Sequence, residues 1–254
     1  MTGSPTTSIW ITGGGGGLGL ALARRLAETD DRPIVLSGRR AEALDQAVAS
    51  SGGRFHAIPL DVTDRAATAE AVARIERTIA PVGLAVLNAG THEETSADRF
   101  DAATIEHLVR ANLVSVAYGL EALLPRMRAR GAGRIAVTAS VAGYRGLPRA
   151  AGYCAAKAGV IALCESLRAE LGAVGVTLQV CNPGFVRTPL TDRNTFPMPF
   201  LMDVDVAARA YERGLRADRF EITFPRRFTW MMKLVRVLPA ALYFPLIRAT
   251  TGVR

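Results

Sequence analysis

Ser8-Ile9-Trp10-Ile11-Thr12-Gly13-Gly14-Gly15-Gly16-Gly17-Leu18-Gly19 is the stretch that decides the fold. Its opening residues form a short apolar run of the kind that makes a buried strand. Beyond the glycines, Leu18, Leu22 and Leu26 recur every four residues, the spacing of one helical face. A strand that runs through glycines into a helix begins a βαβ unit. Glycine lets the chain turn sharply and lets the backbone approach a diphosphate closely. The helix start then offers unbonded N–H groups and the positive end of its dipole. Five consecutive glycines satisfy several patterns at once, including G-x-G-x-x-G at Gly14, Gly16 and Gly19. Their place between strand and helix therefore carries the reading, against a plain flexible loop.

Outward from this stretch, apolar runs alternate with helical patterns. Strands are expected at 8–11, 33–36, 55–59, 84–87, 135–138, 176–181 and 221–224. Helices are expected at 41–50, along Val72, Ile75 and Ile79, and at 101–130, 153–171 and 204–215. This alternation predicts a doubly wound α/β fold, a seven-stranded parallel sheet with helices on both faces. No linker divides residues 1–254, which read as one domain. A signal peptide is not expected at the N-terminus, and Ile9-Trp10-Ile11 is far too short to cross a bilayer.

Cys154, Cys164 and Cys181 form no C-x-x-C and leave an odd count, so they read as apolar residues in a reducing, cytoplasmic setting. With His56, His92 and His107 they show no metal-ligand spacing. The net charge of +8 is concentrated at one end. From Ile222 to Arg254 there is no acid but six cations, while the other 221 residues hold 25 basic against 23 acidic side chains. A nearly neutral body with a basic tail does not fit nucleic-acid binding, which needs a broad basic footprint.

The second strand ends in Gly38-Arg39-Arg40. An NAD site places an acid there for the ribose hydroxyls, whereas an arginine pairs with a 2′-phosphate. Arg39 therefore favours NADP(H), with NAD(H) the alternative, and Arg40 reads as a surface arginine. Tyr153 and Lys157 lie one helical turn apart on one face. An ammonium there is expected to lower the phenol's pKa and fit it for proton transfer near neutral pH. Lys157 is also unusual in kind: of 31 basic residues only Lys157 and Lys233 are lysines. A lysine among so many arginines points to a site that wants a compact, rotatable ammonium.

Taken together, these motifs resemble the short-chain dehydrogenase/reductase family over residues 8–188. Thr12, Gly13, Gly17 and Gly19, with Leu18 between the last two, match its T-G-x-x-x-G-x-G element. Asp61 and Val62 match the segment that meets adenine, and Asn88-Ala89-Gly90 the N-A-G element. Asn112, Ser140, Tyr153 and Lys157 match its catalytic tetrad, and Pro183, Gly184, Val186 and Thr188 the segment beside the nicotinamide. The resemblance implies a Rossmann-type fold and hydride exchange between a carbonyl compound and an alcohol. Tyr153 would be the acid/base, Lys157 would hold the nicotinamide ribose, Ser140 would bind the substrate oxygen and Asn112 would hold a relay water. It also implies a homodimer or homotetramer, paired here through helix residues such as Ala117, Leu120, Leu124, Val160, Ile161 and Leu163. One departure stands out: many NADP-dependent members carry a basic residue where this chain has Gly16.

Two segments are expected to shape an apolar substrate pocket, namely Tyr144-Arg145-Gly146-Leu147-Pro148 and a lid within 187–203 that includes Phe196 to Met202. Residues 226–254 form a basic, apolar extension. There Thr229, Lys233 and Arg236 share one helical face, and Pro239 and Pro245 are expected to interrupt the chain beyond it. The tail is expected to meet a membrane surface, a neighbouring subunit or the active site. Two further readings stand beside the oxidoreductase: a non-catalytic nucleotide-binding redox sensor, and a membrane-surface protein acting through its tail.

Overall fold

Runs of Ile, Val, Leu and Ala without polar alternation need burial on both faces, and they form the centre of one parallel sheet. The computed structural model describes residues 7–193 and 198–252. Its strands are β1 (Ser8–Thr12), β2 (Ile34–Gly38), β3 (Phe55–Pro59), β4 (Val82–Leu87), β5 (Gly133–Thr138), β6 (Val176–Pro183) and β7 (Glu221–Phe224). They lie side by side in the order β3-β2-β1-β4-β5-β6-β7, all parallel. The direction of winding reverses between β1 and β4. The connections leaving these two strands diverge, and a crevice opens at their carboxyl ends.

The helices are α1 (Gly17–Ala27), α2 (Ala41–Ala49), α3 (Arg65–Thr78), α4 (Ala102–Val109), α5 (Ser115–Arg130), α6 (Ala151–Gly172), α7 (Val204–Arg216), α8 (Arg226–Val237) and α9 (Ala240–Thr251). Successive strand residues point to opposite faces of the sheet. Trp10, Val35 and Val137 therefore pack with Val72, Leu123 and Val160 on one side, while Ile9, Ile11 and Leu36 pack with Leu22, Leu44 and Tyr211 on the other.

The expected helix over 101–130 is not uniform, because residues Arg110–Val114 form a π-helical turn between α4 and α5. The cause is Asn112. Its Nδ2 donates to the Leu108 carbonyl at 2.9 Å, taking the acceptor that the regular ladder would give to the Asn112 backbone N–H. Three of the residues expected to pair subunits, Leu120, Val160 and Ile161, belong to the core instead. Ala117 is exposed, and Leu124 and Leu163 are half-buried.

The tail departs further from expectation. Pro245 lies inside α9 without ending it. Ala241, whose carbonyl loses its backbone partner there, is exposed to solvent. On α8 the expected face splits: the side carrying Thr229 and Lys233 faces the protein, while Arg236 stays exposed. Thr229 is buried, and Lys233 pairs with Glu221 of β7, which also accepts from Tyr144 Oη and Asn182 Nδ2. Phe196 and Pro197 of the expected lid lie outside the described residues.

Gly13 has a positive φ of 68°, and a β carbon on Gly19 would stand 2.4 Å from the Gly13 carbonyl oxygen. A backbone atom in a tight turn cannot move aside. Gly19→Ala is therefore expected to lose ~1–3 kcal/mol of stability, as overpacked sites do. Urea unfolding with an unchanged midpoint would contradict this packing.

Candidate active site

The glycine turn lies at the point where the sheet reverses. α1 begins at Gly17, with Gly16 at its N-cap, no side-chain cap and no acid in its first turn, so its leading N–H groups are unanswered by its own side chains. By contrast, α3 and α4, which start elsewhere, are capped by Asp64 and Asp101. The turn is held from beneath. Thr12 Oγ1 accepts from the N–H groups of Asn88 and Ala89 at 2.9 and 3.1 Å, and Asn88 Nδ2 donates to Thr12 O at 3.2 Å. Thr138 Oγ1 donates to Asn88 Oδ1 at 3.3 Å, which links β1, β4 and β5 in one row.

Above this row runs a cleft of about 660 Å³. The sequence-predicted residues Gly13, Gly17, Leu18, Arg39, Asp61, Val62, Asn88, Ala89, Gly90, Asn112, Ser140, Tyr153, Lys157, Pro183, Gly184, Val186 and Thr188 all line it. Thr12 and Gly19 lie just beneath, supporting the turn. The cleft suits a dinucleotide on structural grounds. Its floor is bare glycine backbone, and a β carbon on Gly90 would come within 2.6 Å of Asn112 Oδ1. Asp61 is held below the usual carboxylate range by hydrogen bonds from Thr63, with Arg39 adding a nearby positive charge.

At the far end Ser140, the second residue past β5, meets helix α6. Ser140 Oγ accepts from the Ala142 N–H at 3.1 Å and keeps its own proton available. Its hydroxyl also acts on the Tyr153 phenol, drawing that group's pKa downward. Lys157, 3% exposed, donates from Nζ to the Thr138 carbonyl at 2.8 Å and lies over the Tyr153 ring, 5.6 Å from its centroid. Asn112 is fully buried and clamps the Thr91 backbone through Oδ1 and Nδ2.

The expected lowering of the tyrosine is reversed. Burial pushes Tyr153 up to about 12, with the Ser140 hydrogen bond pulling the other way. The same burial brings Lys157 down to about 8. The physical reason is that the ammonium is directed at the Thr138 carbonyl and sits over the ring, so desolvation outweighs attraction to the phenol oxygen.

Three further features of the site were not read from the sequence. Arg40, set aside as a surface residue, lines the cleft with Arg39, and its Nη2 lies 3.3 Å from where a β carbon on Gly16 would stand. The β2–α2 connection thus places a cation beside the turn position where the family pattern has a basic side chain. His107 and Arg110 also line the cleft, and their spacing of five and two residues before Asn112 was the available signal. His92, two residues after Gly90, stands edge-on to Tyr153 with ring centroids 5.0 Å apart, and burial lowers its pKa. Conversely, none of Tyr144 to Pro148 lines the cleft. Tyr144 turns to Glu221, and Arg145 to the carbonyls of Arg236 and Leu238.

A parallel sheet with an uncapped glycine turn at its reversal defines a Rossmann-type nucleotide-binding protein. A family model described as short chain dehydrogenase matches residues 7–196. An uncharacterized oxidoreductase of Myxococcus xanthus is 34% identical over 236 residues, which is 92% of this chain and 93% of that protein. Levodione reductase of Leifsonia aquatica is 34% identical over 203 residues, 76% of each chain. A short-chain dehydrogenase from Streptomyces avermitilis matches in structure with a TM-score of 0.81 at 25% identity, covering 97% of this chain and 95% of that one. The chain belongs to the short-chain dehydrogenase/reductase family of oxidoreductases.

With only two lysines in the chain, the Lys157 titration can be read directly. In Lys233→Arg protein labelled with ¹³C at lysine Cε, the single remaining signal is expected to shift with a midpoint near 8, the side chain being neutral above it. A midpoint of 10 or higher would contradict the desolvated site.

Proposed function

We propose that the protein interconverts a carbonyl compound and an alcohol with NADP(H), using Tyr153 as general acid and base. The observation that carries this reading is the meeting of Ser140, Tyr153 and Lys157 at one end of a cleft whose other end holds the glycine turn, Arg39 and Arg40. When bound, the dinucleotide supplies or accepts the hydride. In reduction, Tyr153 gives its proton to the carbonyl oxygen as that oxygen gains charge. A phenol held up to about 12 carries that proton at neutral pH. Ser140 donates a second hydrogen bond to the same oxygen. Lys157 in its charged form then stabilises the phenolate left behind, and a chain of groups past Lys157 and Asn112 returns a proton from solvent. Alcohol oxidation runs these transfers in reverse.

The N–H groups at the start of α1, with Gly13, Leu18 and Gly19, would hold the diphosphate. Asp61, Val62 and Asn88 to Gly90 would face the adenosine side. Pro183, Gly184, Val186 and Thr188 would face the nicotinamide, with Tyr153 and Lys157 at its ribose. NADP(H) is favoured over NAD(H) because two arginines and no acid stand at the end of β2. The substrate is apolar or bulky. Phe200 is half exposed and leans on Phe228, whose ring stacks on Phe185 at 5.6 Å, so an aromatic cluster borders the 187–203 lid. We read residues 1–254 as one domain, placed in the cytoplasm. Assembly as a homodimer or homotetramer would use α5 and α6 through Ala117, Leu124 and Leu163.

Tyr153→Phe keeps the ring and loses the transferable proton. Turnover is expected to fall roughly 100- to 10,000-fold while NADPH affinity stays the same. Substantial activity in this variant on any good substrate would refute the assignment. Arg39→Ala is expected to weaken NADPH by roughly 10- to 150-fold and NADH little, the range of one charge-assisted contact. Equal wild-type affinity for the two cofactors, measured by fluorescence titration, would overturn the cofactor reading.

A further inference from the structure

Seven of the ten large apolar side chains exposed among the described residues belong to α8 and α9. On α8, Trp230, Met231, Leu234 and Val237 are between 43% and 75% exposed, and α9 adds Leu242 and Phe244. The polar contacts of α8 are already used on its other side, where Lys233 meets Glu221. The inward side of α8 is anchored by Phe228, Thr229 and Met232, and its exposed side carries these large apolar residues together with Arg226, Arg227 and Arg236. A patch of this kind on one surface marks a site of interaction.

Charge selects what covers it. Arg226 and Arg227 open α8 on its exposed side, one turn before Trp230 and Met231, and Arg248 follows Phe244 by one turn on α9. Among the described residues no carboxylate pairs with Arg226, Arg227, Arg236 or Arg248, and the chain has no acid at all beyond Glu221. A second copy meeting this face about a two-fold axis would offer it the same cationic patch, in which α8 and α9 hold no acid to neutralise the arginines. An anionic bilayer answers both features. Its headgroups balance the arginines, and its interfacial zone takes up tryptophan, phenylalanine and leucine. No helix among the described residues is long and apolar enough to cross a membrane, so the contact is one of lying on the surface.

We propose that the exposed face of α8 and α9 docks the protein on an anionic lipid bilayer. The docked face is tied to the chain between Ser140 and Tyr153. Arg145 donates to the Arg236 and Leu238 carbonyls at 2.7 and 2.9 Å and lies 4.3 Å over the Tyr243 ring, and Tyr243 Oη donates to the Gly146 carbonyl. Gly184 leaves room for Phe228, since a β carbon there would come within 2.7 Å of that ring. Docking would thus hold the substrate end of the protein close to the lipid, a route for an apolar substrate that rests on the oxidoreductase reading, while the docking itself does not.

The test uses full-length protein and needs no substrate. Trp10 is fully buried, so Trp230 is the reporter on the exposed face. With vesicles of phosphatidylcholine and phosphatidylglycerol at 3:1, tryptophan emission is expected to shift to the blue and the protein to float with the vesicles. Phosphatidylcholine alone should give neither. Raising salt from 0.1 to 1 M should release the protein, because the screening length falls from about 10 to about 3 Å. Arg226→Gln with Arg227→Gln is expected to weaken partitioning roughly 25-fold, and Leu234→Glu to abolish it. These positions are exposed, and an unchanged melting curve will show that each variant folds. Absence of any emission shift or flotation with anionic vesicles overturns the proposal. Salt-insensitive binding to both vesicle types does so too, as does self-association through this face, lost in Leu234→Glu, without vesicle binding.

Discussion

Three hydrogen-bonding side chains, Thr12, Asn88 and Thr138, tie the carboxyl ends of β1, β4 and β5 together where the sheet reverses. The winding reversal opens a crevice there, and an unlinked crevice would leave the backbone N–H groups of Asn88 and Ala89 without partners. Thr12 Oγ1 takes both. The same row sets the level of the glycine turn above β1, since Asn88 Nδ2 stands 2.8 Å from where a β carbon on Gly19 would be. At its other end, the backbone carbonyl of Thr138 receives the Lys157 ammonium. The glycine turn and Lys157 are therefore positioned from one short line of contacts across three strands.

Burial explains why that cation is a lysine. At 3% exposure, an ammonium directed at one carbonyl is compact enough to fit under Tyr153, whereas a guanidinium would bring a planar fork with donors left over. Desolvation moves the two groups in opposite directions, the phenol up to about 12 and the ammonium down to about 8. The phenol thereby keeps its proton at neutral pH, while the ammonium is brought closer to the range in which it can lose one. Asn112 acts on the same locus by a mechanical route. Its amide bonds the Leu108 carbonyl and holds the Thr91 backbone, so the loop after β4 is tied to the π-helical turn between α4 and α5.

The C-terminal segment is built into this arrangement. Glu221 at the start of β7 receives Tyr144, Asn182 and Lys233. One half-buried carboxylate thus joins the segment after Ser140, the end of β6 and α8. Burial and neighbouring donors oppose each other at this carboxylate, and the donors prevail, holding it below its ordinary range. Together with the buried Phe228, Thr229 and Met232, that contact fixes which side of α8 meets the protein and leaves Trp230, Met231, Leu234 and Val237 facing outward.

The strands, most of the helices and the cofactor motifs were legible in the sequence, because each rests on local periodicity or on glycine's conformational freedom. Strands 55–59 and 221–224 match the observed β3 and β7 to the residue. The register of Ser140, Tyr153 and Lys157 was legible for the same reason, two of the three lying one turn apart on α6. Features that depend on groups far apart in the chain were not. The rise of the Tyr153 pKa comes from desolvation in a site that brings His92, Ser140 and Lys157 together from separate parts of the chain. Arg40 reaches the glycine turn only because β2 pairs with β1. The orientation of α8 depends on a glutamate in β7, and the core role of Leu120, Val160 and Ile161 on which helix faces meet the sheet. Sequence alone determined which residues can turn, pair or titrate. Tertiary structure decided which of them are desolvated and what each one faces, because burial and partnership are properties of neighbours in space and not of neighbours along the chain.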